Sequence, residues 1–107
     1  MNISNINIGD VVFCRNDFFI IVATSARGTV LCPLVGCSEL RHRADLDLSL
    51  LDIAEANLPS PYMRVRAVPR VYRKGPLVRL GSVPWACADL ISKRMTHELR
   101  QRDRQGP

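Results

Sequence analysis

The sequence predicts a small, mainly β (β+α) domain: a barrel of short strands closed by one C-terminal helix. Three observations lead there. Short runs of β-branched and aromatic residues alternate with Gly, Pro, Asn and Asp punctuation over residues 9–35. A period of two follows at Asp45–Leu51 and again at Tyr62–Val71. Helical spacing is confined to the end of the chain, at Leu90, Ile91, Met95 and Leu99. The 107 residues suit one domain, 1–107, with a core over about 8–100 and a flexible tail at 101–107.

The elements follow in order. Val11 to Cys14 reads as a first strand, and Arg15-Asn16-Asp17 as a hairpin loop. Phe18 to Ala23 is a second, wholly apolar strand, ended by the turn Ser25-Ala26-Arg27-Gly28. Thr29 to Val35 is a third, and Pro33 within it suggests an edge or a bulge, because proline cannot donate to a ladder. Gly36 to Arg43 is a polar loop. In Asp45–Leu51 the alternation places Leu46, Leu48 and Leu50 inward and Asp45, Asp47 and Ser49 outward. Asp52 to Asn57 has the length of a helical turn, and equally reads as strand continuing into loop. Met63 to Val68 is a strand with Arg64 and Arg66 on one basic face. Arg73-Lys74-Gly75-Pro76 is a turn, and Leu77 to Leu80 a short element. Ser82 is placed to cap the last helix, with Pro84 tolerated in its first turn. Arg100, Arg102 and Arg104 complement the negative end of the helix dipole.

Charge is unevenly spread. The net charge is +5, yet residues 64–107 hold eleven basic residues against Asp89, Glu98 and Asp103. Such a half implies an anionic partner, either nucleic acid or an acidic protein segment. No run approaches the ~18 apolar residues of a membrane span, and Met1 to Asn7 lacks the pattern of a secretory signal, so a cytoplasmic protein is expected. Cys14, Cys32, Cys37 and Cys87 form no C-x-x-C pair, and His42 and His97 are the sole histidines. No metal site and no cofactor are expected. Cys14, Cys32 and Cys87 read as small buried hydrophobes. Asp45 and Asp47 suit an exposed sheet face better than a cation site.

Two constellations carry chemistry. Arg64, Arg66, Arg70, Arg73, Lys74 and Arg79 run together without an acid, and guanidinium groups grip phosphate oxygens as a fork. Tyr62, Tyr72 and Trp85 lie near enough in sequence to stack on unpaired bases. The second is the loop Ser38-Glu39-Leu40-Arg41-His42-Arg43, which gathers the base, acid and positive charge that RNA cleavage by its own 2′-hydroxyl needs. The arginine run reads better as an anion-binding surface than as a merely solvated face, whereas solvated side chains are the plainer reading of the loop. Walker, G-x-S-x-G, G-x-G-x-x-G and H-E-x-x-H signatures are absent.

Four stretches in order resemble the MazF/PemK toxin family: Gly9-Asp10-Val11-Val12, Val30-Leu31-Cys32-Pro33-Leu34, Tyr62-Met63-Arg64-Val65-Arg66, and Leu80-Gly81-Ser82-Val83 before the last helix. The resemblance implies an SH3-like barrel, often a homodimer, that cuts single-stranded RNA without a metal and is blocked by an acidic antitoxin. It implies catalytic roles for Arg15 and Ser38. With Arg41 beside them, these form the expected catalytic set; Arg64, Arg66, Arg70, Arg73 and Lys74 form the expected RNA-binding set. The chain departs from the family at its first loop, where Arg15-Asn16-Asp17 stands in place of a long G-x-E-Q-x-G-x-R-P run. A toxin endoribonuclease is therefore one expectation. A non-catalytic regulator, or a protein- or nucleic-acid-binding module on the same scaffold, is the alternative.

Overall fold

A computed structural model describes residues 6–36, 38–60, 62–72 and 76–104. The elements run β1 (Asp10–Cys14), β2 (Asp17–Ser25), β3 (Gly28–Gly36), β4 (Asp45–Asp47), α1 (Leu50–Glu55), β5 (Met63–Arg66), β6 (Arg70–Tyr72), β7 (Val78–Ser82) and α2 (Trp85–Arg104). The strands form one antiparallel sheet in the order β4-β5-β3-β2-β1-β7, with β6 pairing on β3.

The first hairpin is tighter than its sequence suggests. Cys14 pairs with Asp17 across two residues, Arg15 and Asn16, both at positive φ (52° and 69°). That is the twist a two-residue hairpin needs, and Asn adopts it readily whereas Arg does not. Gly28 pairs with Ser25 to close the second hairpin.

β3 is the central strand, which corrects the edge reading of Pro33. One side of β3 pairs with β2 throughout. Its other side meets β6 at Thr29–Leu31 and β5 at Leu34–Gly36. Pro33 sits in the gap between those two partners, where the ladder has no N–H to lose.

The sheet is not a closed barrel. β4 and β7 remain its two ends, and α1 lies where closure would occur. It begins shortly after β4, capped by Ser49, whose hydroxyl accepts from Asp52 N at 3.1 Å. It ends against β7: Asn57 (φ 57°) carries the left-handed C-terminal turn, with Leu58 N donating to Ile53 O and Asn57 N to Ala54 O. The Asn57 side-chain amide then donates to Leu80 O at 2.7 Å. The alternation read as strand through Leu51 thus stops at Asp47. Leu48 goes inward as expected, but Asp45 is buried and Leu50 is exposed.

Both faces of the sheet carry apolar residues. Val11, Ile20, Cys32, Leu34 and Val65 pack on one side with Ile53 of α1 and Ile91 of α2. Val12, Cys14, Ile21 and Leu31 pack on the other with Leu77, beside Phe19 and Tyr72. This explains why β2 shows no polar alternation.

The buried face of α2 is Ala88, Ile91 and Glu98, with Met95 half-buried. Leu90 and Leu99 are exposed, Leu99 at 41%. The stripe drawn through the leucines is therefore rotated away from the true seam, because a position given to an acid, Glu98, belongs to it. Ser82 lies in β7 opposite Asp10, and Pro84 O accepts the first helical bonds from Cys87 and Ala88. Helix continues through residues 101–104, which were expected to be a flexible tail. No helix among the described residues is long and apolar enough to cross a membrane.

A Cβ on Gly81 would lie 2.6 Å from Glu55 O and 2.8 Å from Ala56 C, both backbone atoms of the α1 terminus. We expect Gly81→Ala to destabilise the fold by about 1–3 kcal/mol or more. Gly36→Ala, with nothing within 4 Å, should be nearly neutral. Urea midpoints of the two variants check this, and equal midpoints would rule out the α1–β7 contact.

Candidate functional site

The pleat puts Asp17 and Phe19 of β2, Leu31 and Pro33 of β3, Arg64 and Arg66 of β5, and Arg70 of β6 on the sheet face away from α2. This is the basic face expected from the sequence. Much of it is roofed by the segment after β3. Asp45, whose side chain is 0% exposed, accepts from Arg64 Nε at 3.0 Å, Arg66 Nε at 2.9 Å and His42 N at 3.0 Å. The same arginines reach on to the loop: Arg64 Nη2 donates to Glu39 O at 3.0 Å and Arg66 Nη2 to Leu40 O at 2.8 Å. His42 Nδ1 accepts from Ala44 N at 2.9 Å. Burial pushes the Asp45 carboxyl up, but Arg66, the His42 N–H and Arg64 outweigh it and hold the group at about 2.

Other basic residues are also engaged. Arg41 forks onto Asp47, both exposed, and lowers its carboxyl. Arg43 and Arg102 meet the buried Glu98 of α2 at 3.0 and 3.4 Å, Arg43 being the main cause that holds its carboxyl down. Arg79 meets the buried Asp10 at 3.2 Å, and Lys93 meets Asp89 at 2.9 Å.

What remains open is a groove. One cavity of about 490 Å³ lies between the first hairpin and β6, walled by Arg15, Asp17, Arg70 and Tyr72 over Phe19 and Leu31. A second, about 450 Å³, continues past Pro33 to Glu39 and Arg66. Asp17, Phe19 and Arg70 line both, so the two form one channel across the sheet. No described carboxylate forms an ion pair with Arg15 or Arg70. The Tyr72 hydroxyl is buried at this site without a hydrogen bond of good geometry. Burial raises its pKa, the neighbouring Cys14 adds to this, and Arg15 opposes it.

The residues expected to act divide accordingly. Arg15 and Arg70 line the open groove. Arg64 and Arg66 hold Asp45 and the loop, with Arg66 also bordering the groove. Ser38 is exposed in the loop, and Arg41 is committed to Asp47, so no contact gathers Arg15, Ser38 and Arg41. Arg73, Lys74 and Cys37 lie outside the described residues. Tyr62 and Trp85 are exposed, and neither lines the groove. Asp17 and Phe19 were missed because β2 reads as a featureless apolar run; the pleat counted from the turn would have paired them on one face. Cys14 and Cys32 are buried, and burial pushes the Cys32 thiol up to about 12. Cys87 is half-buried. Among the described residues no His, Cys, Asp or Glu cluster could hold a metal ion.

Comparisons with protein-family models, curated proteins and solved structures returned no match.

Asp45 titrates at about 2 in the fold against an ordinary 3.8. Its contribution, about 2 kcal/mol, is complete only above about pH 5 and is lost progressively as pH falls through 4 towards 2. We expect urea midpoints to drop across that window. Asp45→Asn should lower the midpoint at pH 7 and flatten the acid limb. An Asn variant as stable as the parent would contradict the clamp.

Proposed function

We propose that this domain binds single-stranded RNA along the groove between the first hairpin and β6. One observation carries the reading. Arg15 and Arg70, without acidic partners among the described residues, flank the same channel, whose floor is the aromatic Phe19. Guanidinium groups take backbone phosphates, and an aromatic ring takes the face of any unpaired base. The net charge of +5 adds long-range attraction. The scaffold is read as MazF/PemK-like, an SH3-like barrel left open at the β4 and β7 edges, on the strength of the sequence resemblance.

A second reading is favoured by the backbone at Arg15. A non-glycine residue at φ 52° costs about 1 kcal/mol, a strain often found at working sites. In that reading the chain is a toxin of a toxin–antitoxin pair. It acts as a metal-independent endoribonuclease, and an acidic antitoxin segment competes for the groove. The RNA 2′-hydroxyl would attack the adjacent phosphorus as the 5′-oxygen leaves, giving a 2′,3′-cyclic phosphate and a 5′-hydroxyl. Arg15 would stabilise the charge on the phosphorane. Arg41, engaged by Asp47, takes no part in this version.

Binding to an unstructured RNA should weaken steeply with salt. Arg15→Ala and Arg70→Ala should each flatten the log–log slope by about 0.7, the value for one lost phosphate contact on a single strand. Arg27→Ala, at the far end of β2, should leave it unchanged. Fluorescence anisotropy over a salt series reads this, and a flat dependence of the parent would overturn RNA binding. The same RNA recovered after incubation in EDTA separates the readings: intact RNA leaves binding alone, and cleavage lost in Arg15→Ala supports the nuclease.

A further inference from the structure

We infer that Asp17 makes the groove selective for guanine in single-stranded RNA. The inference rests on the RNA-binding reading and adds the base that is read. Asp17 is the first residue of β2 and pairs with Cys14 directly after the turn. It is exposed, lines both halves of the channel, and forms no ion pair with a described cation. Glu39, the other carboxylate on the groove, lies close enough to Arg66 to raise its pKa, behind Asp45.

A lone carboxylate between phosphate-binding arginines opposes the backbone it is meant to hold. The conflict disappears if it receives hydrogen bonds from a base. An ionised carboxylate only accepts, through two oxygens side by side. On its Watson–Crick edge guanine offers two neighbouring donors, N1–H and the N2 amino group, which match that pair. Adenine and cytosine each offer one amino donor beside an unprotonated ring nitrogen. Uracil offers one N–H between two carbonyl oxygens. Each of these three sets an acceptor against the carboxylate. In single-stranded RNA that edge is free to be read. The neighbours complete the contact: Phe19, next on the same face of β2, takes the base plane, and Arg70, which also lines both halves, takes the phosphate.

The probes are uridine tracts carrying a single central guanine, adenine, cytosine or inosine, or none, titrated against the full chain at one salt concentration. The guanine tract should bind about tenfold tighter or more than the others. Inosine lacks the N2 amino group and should lose most of that preference, with no change to the protein. Asp17→Asn should remove the preference and, by deleting a negative charge from the channel, bind the plain uridine tract more tightly than the parent does. Arg70→Ala should weaken every probe while keeping the guanine ratio. Equal binding of all probes by the parent would overturn guanine selection and leave RNA binding standing. Binding of none would overturn both. A preference that survives in inosine or in Asp17→Asn would remove Asp17 as the reader.

Discussion

Asp45 carries two arginines on a carboxylate that water does not reach. Arg64 and Arg66 come from β5, and the carboxylate comes from the adjacent β4. Both guanidiniums then donate to carbonyls of the loop that follows β3. One ion triad therefore joins an edge strand, an inner strand and an irregular segment that has little apolar surface of its own. A buried charge pair seldom adds much net stability over an apolar replacement, but removing one partner leaves an uncompensated charge and typically costs 3–5 kcal/mol. The clamp therefore acts chiefly to specify where the loop lies.

That arrangement decides which positive charges can meet a ligand. Glu98 does for the other side of the sheet what Asp45 does for this one. It lies buried on α2 and ties the helix to Arg43 at the end of the same loop. Asp10 holds Arg79 of β7. Three buried acids thus engage many of the arginines that make the C-terminal half of the sequence basic. Arg15 and Arg70 escape because no residue of the loop after β3 lines the part of the groove between the first hairpin and β6. The groove is the uncovered remainder of the sheet face, and its polarity follows from which cations the fold has already used.

Much of this architecture was legible in the sequence. Strand order in the chain, the two hairpins, the basic facing of Arg64 and Arg66 and the terminal helix all follow from local pattern. What local pattern missed was set by tertiary contacts. Asp45 read as outward because period two assigns faces without saying which face is covered. Pro33 reads as an edge or bulge residue because the gap between β5 and β6 that accommodates it lies far away in sequence. Leu99 reads as core because it falls at helical spacing from Ile91 and Met95, whereas the seam through Ala88, Ile91, Met95 and Glu98 includes an acid neutralised by Arg43. That no contact joins Arg15, Ser38 and Arg41 has a related reason. Arg41 and Asp47 are separated by a turn of loop and strand, so their pairing is invisible until the chain folds back.

The arginines divide into those that hold buried acids, Arg64 and Arg66 among them, and those that line the open groove, Arg15 and Arg70. Side-chain Nε–H signals of nitrogen-15-labelled protein report each arginine separately, and an RNA titration tests the division directly. The signals of Arg64 and Arg66 should exchange slowly with water and stay in place as RNA is added. Those of Arg15 and Arg70 should exchange fast and shift with saturation. Movement of Arg64 and Arg66 with Arg15 and Arg70 unaffected would contradict the account, because it would mean that RNA displaces Asp45 and that the clamp itself is the binding surface.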